Sequence, residues 1–530
     1  MARPEPTMPF VGRRARRDAA LVLLAVAFQL AVLAAPAPAD GPYLVHDLGV
    51  GVDYPWSFIG LRAQPVAMGG ALYFFHDDGV HGEELWRSDG TALGTWMVRD
   101  LCPGACGTSA IGAPGALAVL GSTLFFAGHD GVHGVELWAT DGTAGGTRLV
   151  ADLRPGLDSS APRNFLVASG LLFFVPDDGV HGAELWRSDG TAAGTWLVRD
   201  LSPGPESAGI GVLEPGAGHL FFAIAGAPAE RTGLWVSDGT AAGTQRLSSL
   251  PPEGGWQSVS GAYRRFNSLP DGTLLYTVAQ PNHDIELWRS DGTVAGTFFL
   301  RRVGYGGLNS VIVIAGDSGY LVGQTPEGAT ELVRSDGTVS GTELVPLPDD
   351  ARPYVGAWAS SLGGRLFLAV WEPATGAEPW VVDGLVATPL ADLRPGPESS
   401  AAVDLAYLSG IFSAVAGGEV VFLADDGSGA GLELWATDLT PAGTRRISDL
   451  TPGEEYPGLP DFASRLPPVA LGGQLLLPTW DPEAGVRLWR ADPAADTTSV
   501  VRQLGWQSSS LQPPRDFPRF LHNPPPAAWR

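Results

Sequence analysis

Apolar residues in this chain come in short runs of about five or six, rich in aromatic and β-branched types and closed off by Gly, Pro, Asp or Ser. One set of four runs occupies residues 164–168, 171–175, 183–187 and 196–201. Outside the apolar segment 19–35, no window places apolar residues at sustained helical spacing. The pattern therefore predicts strands throughout, four to a set. The runs are apolar nearly from end to end, which fits strands covered on both faces better than strands with one wet face.

The set repeats. The tryptophan of its third run recurs at Trp86, Trp138, Trp186, Trp235, Trp288, Val333, Trp380, Trp435 and Trp489. A period of about fifty residues is the mark of a repeat architecture, in which each unit needs its neighbours to cover its apolar faces. Four short antiparallel strands per period predict the blade of a β-propeller. The expected fold is all-β, a β-propeller of about nine four-stranded blades in one closed ring. Two smaller propellers or an incompletely closed ring are the alternatives, and a β-solenoid ranks behind them. The expected organisation is a signal peptide over 1–39, the nine-repeat array over 40–504 and a Pro-rich tail over 505–530.

Between the third and fourth runs of each set lies Asp-Gly-Thr-x-x-Gly-Thr or a close variant. Asp can accept backbone N–H groups in its own turn, Gly supplies a positive φ, and Thr hydroxyls add local bonds. Asp89, Asp141, Asp189, Asp238, Asp291 and Asp336 are accordingly read as structural turn residues. The whole stretch Glu-Leu-Trp-x-x-Asp-Gly-Thr, at 84–91, 136–143, 184–191 and 286–293, resembles the bacterial family named for its ELWxxDGT repeats. Weaker copies stand at Gly233-Leu234-Trp235, Glu331-Leu332-Val333, Glu378-Pro379-Trp380 and Arg487-Leu488-Trp489, and the likeness runs from about residue 43 to 504. It implies an exported repeat protein and carries over no general enzymatic activity. The turn also looks distantly like the Asp-box of sialidase-type propellers, itself a structural turn with different spacing.

Charge and composition narrow the function. The net charge of −24 would repel nucleic-acid phosphates and anionic membrane surfaces. Arg13, Arg14, Arg16 and Arg17, the apolar segment 19–35 and the small residues at 37–39 form an export signal, with an uncleaved anchor as alternative. No later segment is long and apolar enough to span a bilayer as a helix. The mature protein is expected to be extracellular or associated with the cell envelope, and monomeric. Cys102 and Cys106, the two cysteines, are a disulfide candidate that would staple one inter-unit loop.

The sharpest candidate chemistry lies between the second and third runs, where Asp77, Asp78 and His81, then Asp130 and His133, then Asp177, Asp178 and His181 recur in consecutive units. Carboxylates in a row suit Ca²⁺ and imidazoles suit a transition metal. A ligand or metal site is one reading; the other is a hairpin turn with His at its surface. No cofactor is required by the sequence, and Ca²⁺ is the one cation it points to. Zincin, nucleophile-elbow and phosphate-loop motifs are absent. The expected function is thus non-catalytic: a binding, display or structural module whose partner is an unidentified surface protein or glycan. The alternative is a carbohydrate-active enzyme using paired carboxylates.

Overall fold

The computed structural model describes residues 65–77, 81–89, 94–103, 117–225, 228, 230–249, 266–280, 284–305, 311–325, 329–354, 359–400, 413–429, 433–448, 469–481, 485–495 and 497–504. Contacts divide the chain into Met1–Pro42 and Tyr43–Arg530, and every described residue belongs to the second unit. The expected signal segment 1–39 and tail 505–530 lie outside the described residues.

The protein is all-β and β-propeller-like. Among the described residues the one helical element is a single 3-10 turn, Pro493–Ala495. The third unit shows the plan: Arg163–Ala168, Leu171–Val175, Leu185–Ser188 and Trp196–Arg199 pair in chain order, each antiparallel to the last. Expected and observed strands in this unit agree to within about two residues, the scatter usual at strand ends. Six sheets have this four-stranded form. Two further units share an eight-stranded sheet, joined by one parallel pairing of Gly304 with Gln324. Another carries a fifth strand, Arg352–Tyr354, on Arg365–Glu372 beside Ser360–Leu362.

First strands of successive units neighbour one another. Val66–Met68 lies by Leu117–Leu120, and the series continues through Arg163–Ala168, Ile210–Pro215, Phe266–Ser268, Val313–Ala315, Ser360–Leu362, Ser413–Ala416 and Val469–Leu471. Each sheet is therefore covered by a neighbouring sheet, which is why second strands are apolar on both faces. Phe125 and Phe126, Phe173 and Phe174, and Phe221 and Phe222 are all fully buried although adjacent residues of a strand point opposite ways. Aromatic rings meet across units, as with Phe75 and Phe126 at 6.3 Å and Phe367 and Phe422 at 4.9 Å.

The repeated tryptophan pairs with the second strand of its own sheet, Trp138 with Phe126 and Trp186 with Phe174. At the Leu-Trp step the pairing with the fourth strand slips by one residue in five units. Such a bulge increases the local twist and re-aims the side chains around it.

The turn between third and fourth strands closes the same way in the six described copies that keep both its Asp and its Thr. Asp141 Oδ1 accepts from Thr143 N at 2.9 Å and from Thr143 Oγ1 at 2.7 Å, and Thr143 Oγ1 in turn accepts from Gly146 N at 3.0 Å. Asp189, Asp238, Asp291, Asp336 and Asp438 repeat the bond from the Thr N–H and the bond from the Thr hydroxyl. Hydrogen bonds from the Thr hydroxyl and N–H hold the Asp141, Asp189 and Asp238 carboxyls below their ordinary range. A Cβ on Gly146 or Gly194 would overlap the Asp141 or Asp189 carboxylate, which explains the second glycine of the motif. Asp89 sits in the corresponding turn, of which residues 90–93 are not described; a Cβ on Gly94 would overlap its carboxylate too.

Arginines stitch this end of the array together. Arg99 donates to Thr147 O at 2.7 Å, Arg148 to Gly190 O at 3.0 Å and Arg199 to Thr244 O at 2.7 Å, each reaching the turn of the next unit.

Candidate functional site

The opposite end of the units carries the loops between second and third strands and the connections from one unit to the next. These loops touch. Arg154, in the connection after the second unit, stands 3.8 Å from Asp177 of the third, and Arg394, in the connection after the seventh, donates to Asp425 of the eighth at 2.5 Å. A Cβ on Gly134 would meet the backbone of Leu157 and Asp158, and one on Gly182 the backbone of Pro205 and Glu206. The glycines after His133 and His181 are thus fixed by close backbone approach.

Two of the candidate Asp residues, Asp130 and Asp178, pair with the His of their own turn. Asp130 Oδ1 accepts from the N–H groups of Val132 and His133, both at 2.9 Å, and Oδ2 faces His133 Nδ1 at 2.7 Å. Asp178 does the same with Val180 at 2.9 Å, His181 N at 2.8 Å and His181 Nδ1 at 2.7 Å. Asp177 Oδ1 accepts from Gly179 N at 2.8 Å. Burial works against the charge on Asp130 and Asp178, but the bonds from the His ring and from backbone N–H outweigh it and lower both carboxyls. The same Asp bond raises His133 and His181. Asp77 ends the strand Ala71–Asp77, and His81 lies in the loop after it. Asp78 lies outside the described residues. Among the described residues no three His, Cys, Asp or Glu side chains gather in a metal-binding group. Both oxygens of Asp130 and of Asp178 are already used within their own turns, so the geometry is that of a closed hairpin turn. Cys102 is disulfide-bonded, and Cys106 lies outside the described residues.

The residue that the sequence reading passed over is the glutamate opening the motif. Glu84, Glu136, Glu378 and Glu433 are buried on third strands and Glu184 is buried just before one, and their carboxylates hold the chain leaving the unit. Glu136 accepts from Leu153 N and Ser160 N, both at 2.9 Å, and from Ser160 Oγ at 2.6 Å. Glu378 accepts from Leu393 N at 2.9 Å, Ser400 N at 3.1 Å and Ser400 Oγ at 2.7 Å. Glu184 accepts from Leu201 N at 3.1 Å and Ser202 N at 3.0 Å, and Glu84 from Cys102 N at 3.3 Å. Burial raises the carboxyls of all four, pushing Glu84 and Glu184 up to about 7. The available signal was covariation within the period: a lone acid in an apolar strand, with Asp-Leu about 16 residues on and Ser-Ser beyond it.

Outward at this end stand three aliphatic side chains. Val132, Leu157 and Val180 are 60%, 75% and 63% exposed. They sit on loops in mutual contact, among Asp130, Asp158, Asp177 and Asp178.

No family model matches the chain, and no curated protein matches it. Among solved structures, puromycin hydrolase is similar over 84% of this chain and 61% of its own length, at 15% identity and a TM-score of 0.34. A prolyl endopeptidase is similar over 71% and 53%, at 11% identity and a TM-score of 0.34. Oligopeptidase B of Leishmania major follows over 65% and 48%, at 12% identity and a TM-score of 0.34. The chain spans less than two thirds of the length of each. By name these are hydrolases, and the functional expectation is corrected: neither the non-catalytic binding, display or structural module nor the carbohydrate-active enzyme is retained. The second has a physical objection as well. The repeated glutamates are inaccessible and bound to the backbone, so they cannot serve a glycan as acid or base. Among the described residues no helix is long and apolar enough to cross a membrane.

Proposed function

We propose that this chain is an exported protein of the ELWxxDGT type, its nine units standing around one axis, that receives extended peptides for hydrolysis at the end carrying the unit-to-unit connections. One observation carries the reading: the juxtaposition there of exposed Val132, Leu157 and Val180 with carboxylates of a chain whose net charge is −24. Aliphatic side chains in a row, edged with negative charge, suit a segment that alternates apolar and basic residues. An acidic segment would be repelled. The buried glutamates act beneath this surface by keeping the loops in place.

Fluorescence polarisation with labelled decapeptides tests the reading, and mass spectrometry of the same mixtures shows whether this chain cuts them or delivers them to a separate hydrolase. Peptides of alternating Leu and Lys are expected to bind, and binding should weaken at least about tenfold when Val132, Leu157 and Val180 are all changed to Ser, the loss expected from about 1.4 kcal/mol or more of apolar contact. Equal binding of Leu-Glu peptides, or undiminished binding by the triple variant, would overturn it.

A further inference from the structure

The junctions between units are built to one plan but not equally well satisfied. At the second and seventh units the buried glutamate receives three hydrogen bonds, one of them from a serine hydroxyl, Ser160 or Ser400. At the third unit the corresponding residue of the Asp-Leu-x-Pro-Gly-x-x-Ser-Ser connection is Ala208. The rest of the plan is kept: Leu201 N takes the place of Leu153 N, and Ser207 Oγ accepts from Ala183 N at 3.1 Å as Ser159 Oγ accepts from Val135 N at 2.9 Å. Ala208 is fully buried, and its N–H goes to Ala183 O at 3.1 Å rather than to the glutamate. Glu184 is left with two backbone donors at 3.0 and 3.1 Å and no hydroxyl.

From this missing hydroxyl we infer that the junction between the third and fourth units is a proton-operated joint, held firm when Glu184 carries a proton and loosened when it ionises. The charged form of a carboxylate shut away from water needs donors, and here it has fewer than Glu136 or Glu378. The groups around it do not restore the balance. Asp200, at the end of the fourth strand, faces Glu184 with like charge and has a buried Oδ1 without a partner, whereas Arg231 of the fourth unit and His181 of the preceding turn bear on it with opposite charge. Arg231 is itself committed to Leu201 O at 3.2 Å. The carboxyl sits at about 7, against 4.5 for an ordinary glutamate, so the joint answers to pH between mildly acidic and mildly alkaline surroundings. The segment it controls, 201–209, runs across the end of the units where peptides are proposed to arrive, but the joint itself does not depend on that reading.

Hydrogen–deuterium exchange of the full-length protein at pH 5 and pH 8, corrected for intrinsic rates, reads the joint directly. Opening at Leu201 and Ser202 should rise about 10- to 100-fold between the two pH values, tenfold for each pKa unit lost on opening. Opening at Leu153 and Ser160 should rise less. Ala208→Ser should flatten the response at 201–202, Glu184→Gln should abolish it, and Ser160→Ala should confer it on Leu153. Equal pH responses at Leu153 and Leu201 in the unaltered protein would overturn the inference, as would a response that persists in Glu184→Gln. Should Ala208→Ser fail to fold by near-UV circular dichroism, the unaltered protein and Ser160→Ala still decide.

Discussion

Replacing Gly146 with alanine sets the Asp-Gly-Thr-x-x-Gly-Thr turn against itself. The new Cβ would overlap the Asp141 carboxylate, which is held where it is by Thr143 N at 2.9 Å and Thr143 Oγ1 at 2.7 Å. Relief requires the carboxylate to swing away and give up both bonds. This turn is exposed and water replaces part of the lost bonding, so the magnitude is set against a compatible Gly→Ala change. Where the native geometry cannot take the Cβ, the variant should lose more than the gain of about 0.4–1 kcal/mol that such a change otherwise brings. Gly145, one residue earlier, is the control. A Cβ there would meet nothing within 4 Å, neither glycine has a positive φ, and the third unit already carries Ala193 at the matching position. Gly145→Ala should therefore be neutral or stabilise by about 0.4–1 kcal/mol, through the lower entropy of the unfolded chain. Urea denaturation of both variants, followed by tryptophan fluorescence, gives the comparison. If Gly146→Ala proved no less stable than Gly145→Ala, the steric and hydrogen-bond account of the motif would be refuted.

Other outcomes follow from the same geometry. Glu84 and Glu184 lie at about 7 in the fold against 4.5 unfolded, so their stabilisation is fully present below pH 4.5 and is lost as pH rises through 7. His133 and His181, raised by their Asp partners, act in the same direction above 6.5, whereas the lowered turn aspartates matter only below about pH 4. Thermal melts should accordingly be highest near about pH 4–5 and fall towards pH 8; a Tm that climbs steadily from pH 5 to pH 8 would contradict this. Adding Ca²⁺ or Zn²⁺ should leave Tm unchanged, because Asp130 and Asp178 already spend both oxygens in their turns; a rise that Asp130→Ala abolishes would restore a cation site. Arg148→Ala should loosen the bond to Gly190 O and cost about 0.5–1.5 kcal/mol in the same urea assay, and no change would mean the stitch is idle.

The strands and the turns were legible in the sequence because they are local. Leu171–Val175 could be read residue for residue, and the role of Asp189 follows from Thr191 two positions later. The tryptophans, too, are packed between strands, with Trp86, Trp138 and Trp380 buried. Glu136 was not legible. In a strand, one polar residue among apolar ones normally marks the wet face, and its partner Ser160 is 24 residues away across a unit boundary. The bonding of the Asp and His row was not legible for the opposite reason. Its spacing suggested convergence between units, but Asp130, Asp177 and Asp178 find their donors within three residues, as Asp in a tight turn generally does.

The decisive quantity is the coupling between Glu136 and Ser160, since the account holds that buried acids of the motif fasten each unit to the next. A double-mutant cycle with Glu136→Ala and Ser160→Ala, read by urea denaturation, isolates it. The 2.6 Å bond from the hydroxyl to a buried carboxylate predicts about 1–3 kcal/mol of coupling. Additive effects, agreeing within about 0.3 kcal/mol, would mean that the glutamate does not hold the junction.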